Sequence, residues 1–213
     1  FGHELGIKDL VPVLSWLSTG GKCRYCGDKI SARYPLTEIA FGIITVLCLL
    51  RFDLTPLCLR NFVFLAMLFM LTLTDIDDMV IPDGCHIVSI VAWVVALPFI
   101  GVDKQYLLSH VGAMILFGGG LLAISLILDR VMGRDTMGGG DIKLIGVTGL
   151  YLGIIGNLFT LIIACILGLV FGKLLKKGRT EDKAFPFGPW IAAAAAIMLL
   201  FGEPLINWYL NLL

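Results

Sequence analysis

Charge is what this sequence has least of. Only 15% of its 213 residues are Asp, Glu, Lys or Arg, where soluble domains run nearer a quarter. The shortage excludes an ordinary water-solvated globule. With 58% hydrophobic residues and a mean hydropathy of +0.95, the chain reads as an integral membrane protein. Sixteen basic residues balance sixteen acidic ones, and the missing basic excess excludes a nucleic-acid partner. Histidine is scarce; His86 and His110 stand alone and read as satisfied polar residues. Four of the six cysteines are scattered through apolar segments and read as small buried hydrophobes, which leaves Cys23 and Cys26 as a pair in a polar context. No apolar leader opens the chain, and residues 1–35 are polar and mixed. The sequence reads as a fragment whose first membrane segment has been lost.

What is present is a series of apolar runs. They begin at Leu36 to about Phe52, Leu59 to about Thr74, Cys85 to about Gly101 and Leu107 to about Leu128. Ile142 to about Ile155, Asn157 to about Leu175 and Trp190 to about Leu212 follow, the last with a bend expected near Gly202-Glu203-Pro204. Most match the ~17–25 residues that cross a bilayer core of ~30 Å. The fifth is short, and is expected to tilt or to reach only part way. The fold class is therefore all-α: a polytopic bundle of about seven transmembrane helices over residues 36–213, preceded by a cytoplasmic cysteine-containing loop segment, 1–35. Alternating these spans puts Arg51, Arg60 and Lys104 on one side and every other Lys and Arg on the other. By the positive-inside rule the second group is cytoplasmic.

That sidedness selects two acids. Asp75 ends the second span on the cytoplasmic side, and Asp141 opens the fifth there, directly after Gly138-Gly139-Gly140 and two residues before Lys143. Two carboxylates at one site can divide the work of a general base on water and a general acid toward the carbonyl oxygen or leaving amine. Three glycines beside one of them let another peptide backbone approach, so Gly138, Gly139, Gly140 and Lys143 are candidate substrate contacts. The competing reading makes each acid interfacial, facing water or paired with Lys143 or Arg134. Asp77, Asp78, Asp83 and Asp135 read as solvated loop acids or caps. Cys23-Arg24-Tyr25-Cys26 supplies two thiolates at knuckle spacing, whereas a structural zinc needs four ligands; His3 is the nearest other candidate. Phe185-Pro186-Phe187-Gly188-Pro189-Trp190 reads as an entry turn and aromatic anchor for the last helix, on the same side as the aspartates. Gly118-Gly119-Gly120, in mid-span, suits close helix packing.

Taken together, these residues resemble the type IV prepilin peptidases, also called leader peptidase/N-methyltransferases, which are bacterial membrane aspartic proteases of the GxGD type. The likeness covers essentially the whole chain. Gly21-Lys22-Cys23-Arg24-Tyr25-Cys26, Ile30 to Pro35 and Glu38 resemble that family's cysteine-rich cytoplasmic loop. Asp75 through Ile81-Pro82-Asp83 resembles its first aspartate motif, Gly138 to Leu144 its GxGD motif, and Pro186-Phe187-Gly188-Pro189 its PFGP turn. The resemblance implies an endopeptidase with Asp75 and Asp141 catalytic, acting at the cytoplasmic face of the inner membrane. Its implied substrates are prepilins or pseudopilins of a pilus or type II secretion system. They would be cut after a glycine that ends a short basic leader and before an apolar stretch. The likeness also implies N-methylation of the new terminus from S-adenosylmethionine, whereas proteolysis needs no cofactor. The family usually carries two CxxC pairs, and the spacing puts Phe1 where the last cysteine of the first would stand, so zinc at Cys23 and Cys26 rests on an incomplete set.

On residue chemistry alone a rival remains. A transporter could use Asp75 and Asp141 as a proton or cation site, although both acids lie at one interface and no inverted repeat is evident. A methyltransferase without peptidase activity is a third reading.

Overall fold

The structure, a computed structural model, describes residues 4, 6–134, 136–175 and 186–211. Their regular structure is helical, apart from one isolated antiparallel bridge between Lys22 and Lys29. Contacts divide the chain into two compact units, Phe1–Leu50 and Arg51–Leu213.

In the first unit a single 3-10 turn, Ile7–Asp9, precedes the short helix α1 (Leu14–Ser18). Val13 stands at φ 61° ahead of α1. The Lys22–Lys29 bridge closes a tight loop in which the Cys23 N–H donates to Asp28 O and the Gly27 N–H to Cys23 O. α2 (Arg33–Phe52) carries the first apolar run.

The second unit begins its helices with α3 (Pro56–Asp78). Thr55 caps it by accepting the Cys58 N–H at 3.1 Å, and Pro56 opens it without forfeiting a hydrogen bond. α4 (Asp83–Ala96) runs into a 3-10 turn at Leu97–Phe99 around Pro98, so the third run stops short of the expected Gly101. α5 (Lys104–Ala113), capped by Asp103, passes through a π-helical stretch, Met114–Gly119, into α6 (Gly120–Met132). Such a bulge has a local cause here. A Cβ on Gly149 would lie 2.8 Å from Met114 N, and one on Gly118 would lie 3.0 Å from Gly146 Cα. Two backbones meet along glycine, as Gly118 suggested; Gly119 and Gly120 face open space.

α7 (Gly139–Leu175) spans 37 residues with a non-helical break at Gly153, φ 67° and ψ −174°. Straight, it would extend ~55 Å. It does not run straight: Thr148 Oγ1 donates to Asn157 Oδ1 at 2.7 Å, and Asn157 Nδ2 donates to the Ile145 carbonyl at 3.1 Å. Residues nine and twelve apart in a straight helix would be ~13–18 Å apart along the axis. The chain therefore folds back at Gly153, where a left-handed backbone favours glycine. The two halves correspond to the expected fifth and sixth runs, with the break at 153 rather than at 155–157. α8 (Gly188–Leu210) has Pro189 in its first turn and contains Pro204 within a continuous helix.

Among the described residues five helices are long and apolar enough to cross a membrane, counting α5 to α6 as one and α7 as one in spite of its break, and Asp83–Phe99 is a shorter apolar helix. The core lies between α3, α7 and α8, with Phe64, Leu65, Leu71, Leu144, Ile145 and Ile191 fully buried. Phe64 stacks on Tyr151 with ring centroids 3.8 Å apart. Ala192, Ala194 and Ala195 are buried on α8, where small side chains admit a close helix neighbour. Ile87, Val91, Val95, Leu122 and Leu126 face outward, as a lipid-solvated surface requires.

Candidate active site

α3 carries Asp75 in its penultimate turn, 5% exposed. Met79 then adopts a left-handed conformation and returns its N–H to the Asp75 carbonyl at 3.1 Å. This stops the helix and leads the chain through Ile81 and Pro82 into α4. Asp141 is the third residue of α7, half-buried in the first turn, at the end of a helix whose free N–H groups and dipole favour a carboxylate.

Glycine brings the two ends together. A Cβ on Gly188 would lie 2.6 Å from Asp75 Oδ2 and 2.9 Å from Ile81 Cδ1, and one on Gly140 would lie 2.9 Å from Ile81 Cβ. Asp75, Gly188, Ile81 and Gly140 thus form an unbroken line of contact that ends at Asp141. The Gly188 amide bears on the Asp75 carboxylate. Asp75 Oδ2 is buried with no hydrogen-bond partner among the described residues, an acceptor of a kind that folded proteins seldom leave unmet.

The other candidates are distributed around this pair. Lys143 donates to Asp83 Oδ1 at 2.7 Å, tying the start of α7 to the start of α4. The expected alternative of Lys143 paired with Asp141 is therefore not what forms, because Asp83 lies within reach on the next helix. Gly138 sits against the Asp141 side chain, with a Cβ position 3.2 Å from Oδ2, while Gly139 borders open space. Asp77 and Asp78 are exposed in the last turn of α3; Asp135 and His3 lie outside the described residues.

A groove of 580 Å³ starts at Asp83, Ile142 and Lys143 and runs between α4, the π-helical stretch and the first half of α7, past Ile87, Met114 and Gly118. His86 lines it, 5% exposed, with Nε2 unpartnered among the described residues. The satisfied histidine expected from sequence is not found at this position, because the helix turns it toward apolar neighbours. His110 does meet that expectation, its Nδ1 lying 2.8 Å from Tyr106 O.

Sequence reasoning gave Gly188 only a minor place. It was visible as the glycine of Pro186-Phe187-Gly188-Pro189, but a turn at a helix start explains glycine and proline without a site. Ile81 stood in the sequence only as part of the Asp75-to-Asp83 motif and His86 only as a lone polar residue, because their positions depend on which helix ends converge.

In the N-terminal unit Cys23 and Cys26 sit at the two sides of the bridged loop, and the six cysteines form no disulfide. The backbone N–H groups of Cys26 and Tyr25 hold the Cys23 thiol below the ordinary cysteine value. The Asp28 N–H favours the Cys26 thiolate, but the Cys23 thiol, desolvation and the Asp28 carboxylate outweigh it and push Cys26 above that value. Among the described residues no third His, Cys, Asp or Glu joins them in a metal-holding group. Two thiols alone do not complete the four-ligand set of a structural zinc site. A cavity of 310 Å³ in the same unit is lined by Trp16, Tyr25 and Tyr34 with Asp9 and Glu38.

Comparison with known proteins gives these features a common setting. The family described as "Bacterial Peptidase A24 N-terminal domain" matches residues 1–52, and "Type IV leader peptidase family" matches residues 62–173. A protein of Aeromonas salmonicida named "Prepilin leader peptidase/N-methyltransferase" is 31% identical, over 98% of this chain and 72% of its own length. Proteins of the same name from Bacillus subtilis and Pseudomonas aeruginosa are 29% and 28% identical, covering 96% and 99% of this chain and 80% and 72% of their own. No solved structure matches. The chain, with its two aspartate-bearing helix ends joined through glycine, belongs to the type IV leader peptidase family.

Proposed function

We propose that Asp75 and Asp141 are the catalytic pair of a prepilin leader peptidase. The observation that supports this most is the line Asp75–Gly188–Ile81–Gly140–Asp141. Through it, two acids 66 positions apart in sequence are connected by close packing of Gly188, Ile81 and Gly140. One carboxylate takes a proton from water as it attacks the scissile carbonyl, and the other, protonated, gives its proton to the departing amine. Two like charges held close share one proton readily, which supplies the acid and the base from one residue type. Membership in a peptidase family leaves the transport reading without support.

The substrate groove follows from the same placement. A prepilin carries a basic leader, then the scissile bond, then an apolar helix. The groove beside Asp141 accepts that helix, with Gly118 and Gly146 keeping its floor low and Gly139 leaving room for the extended backbone at the bond to be cut. Lys143 and Asp83 stand at its mouth. The basic-residue asymmetry supports a cytoplasmic position, at a bacterial inner membrane, for the helix ends that carry Asp75 and Asp141.

For the methyltransferase activity that the relatives' names carry, S-adenosylmethionine would supply the methyl group. The cavity of the N-terminal unit suits it: Trp16, Tyr25 and Tyr34 offer faces to adenine or a sulfonium cation, and Asp9 and Glu38 offer carboxylates to hydroxyls and positive charge.

The test is to incubate the purified protein with a prepilin, with and without S-adenosylmethionine, and to weigh the products. Cleavage before the apolar stretch with S-adenosylmethionine absent, and one added methyl per mature chain with it present, are expected. An uncleaved substrate refutes the peptidase reading.

A further inference from the structure

At the end of the bundle away from the aspartates, a second cavity of 530 Å³ opens between α3, α5, α7 and α8. It lies about 22 Å along α3 from Asp75, fifteen residues at 1.5 Å each. None of the residues placed in the catalytic pair or its groove lines it.

Its distinguishing feature is Arg60. The side chain belongs to a residue only 5% exposed. Its Nε and one terminal nitrogen donate to Asn61 Oδ1 at 3.0 and 2.8 Å, and the other terminal nitrogen donates to Tyr106 Oη at 2.8 Å. Its central carbon lies 5.1 Å from the centre of the Tyr151 ring. These partners orient the guanidinium, but none of them carries negative charge. Among the described residues Arg60 forms no ion pair, and the two acids that border the cavity are used elsewhere: Glu203 pairs with Arg51, and Asp103 Oδ1 accepts the Tyr106 N–H as the cap of α5 at 2.7 Å. A guanidinium has five N–H donors, and three are engaged here.

A buried charge that is held in place without a counter-charge is costly unless a ligand supplies one. The guanidinium fork matches the oxygens of a phosphate, to which it donates in parallel. Around it, Tyr106, His110 and Tyr151 add polar edges, while Leu57 and Ile206 add apolar wall. The volume falls in the range of small-molecule sites. Its lining includes Arg51, Phe52 and Leu57, which flank the turn before α3, and the ends of membrane-spanning helices are where lipid headgroups are met. We propose that this cavity binds a phosphate-bearing anion through Arg60, seated as the headgroup of an anionic phospholipid.

The experiment uses the whole protein in phosphatidylcholine nanodiscs, with phosphatidylglycerol or inorganic phosphate added separately. It reads thermal unfolding and, by native mass spectrometry, retained lipid. Wild type is expected to retain phosphatidylglycerol over phosphatidylcholine and to unfold at higher temperature with it. Arg60→Gln should weaken that binding roughly ten- to a hundredfold, the loss of a charged hydrogen-bonding partner, and Arg60→Lys should recover part of it. Asp103→Asn removes one of the two acids that border the cavity and should tighten binding. If inorganic phosphate alone gives the Arg60-dependent stabilisation, the site stands and its ligand is a free phosphate. Equal retention of both lipids by wild type, undiminished binding by Arg60→Gln, or weaker binding by Asp103→Asn overturns the proposal.

Discussion

α3 carries a buried ionisable residue near each end, and the two are treated in opposite ways. Arg60 is surrounded by acceptors and a ring face, with its geometry fully specified by Asn61, Tyr106 and Tyr151. Asp75 has a glycine backbone pressed against it and one oxygen left unmet. Both arrangements cost stability, since among the described residues neither group has an oppositely charged partner. The surroundings of Arg60 hold a charge still, as a binding site requires. Those of Asp75 leave a carboxylate free to change its proton and its partner, as a reaction requires. Glycine rather than a polar side chain makes the second kind of wall, because it brings backbone close and adds no competing donor.

The contrast can be broken most severely at the proposed reacting end. Asp75→Asn and Asp141→Asn each keep shape and remove the acid–base function. Each should lower prepilin cleavage by at least about a hundredfold in a mass-resolved assay, with the helical circular dichroism spectrum unchanged. Gly188→Ala comes next. Its methyl would meet Asp75 Oδ2 at 2.6 Å, and relief of that overlap displaces the carboxylate at a cost of roughly 1–3 kcal/mol. Cleavage should fall about tenfold or more, while Gly84→Ala, where nothing lies within 4 Å, should behave as wild type.

At the other end the loss should be of stability rather than turnover. Asn61→Ala removes the acceptor of two guanidinium hydrogen bonds and should cost roughly 1.5–3 kcal/mol in denaturant unfolding. A smaller version of the same contrast exists in the N-terminal unit, where two like thiols are pushed apart by their own backbone and neighbours. Alkylation followed against pH should give Cys23 a midpoint below that of Cys26; a reversed order would contradict the loop geometry.

Much of this was legible in the sequence, and the part that was not has a physical reason. Apolar runs mark helices because a bilayer demands them, and the run containing Asp75 became α3 with its aspartate in the last turns. The glycine triplet before Asp141 marked the start of α7. The fold-back at Gly153 was foreseen as a boundary but placed two residues late, since Gly153 and Gly156 differ only in the conformation that tertiary packing imposes. Lys143 could have chosen Asp141 or Asp83, and only the position of α4 decides. Gly188 and Ile81 matter through convergence, which no local pattern encodes. Arg60 read as one of three basic residues on the sparse side, and its contacts with Tyr106 and Tyr151 depend on two other helices, α5 and α7.

The central claim is that Asp75 and Asp141 act as one unit. The most direct measurement compares single-turnover prepilin cleavage by Asp75→Asn, Asp141→Asn and the double variant. A shared function predicts that the double variant is no slower than the worse single one, because either substitution already removes the whole device. Multiplicative losses, or near wild-type cleavage by either single variant, would contradict it.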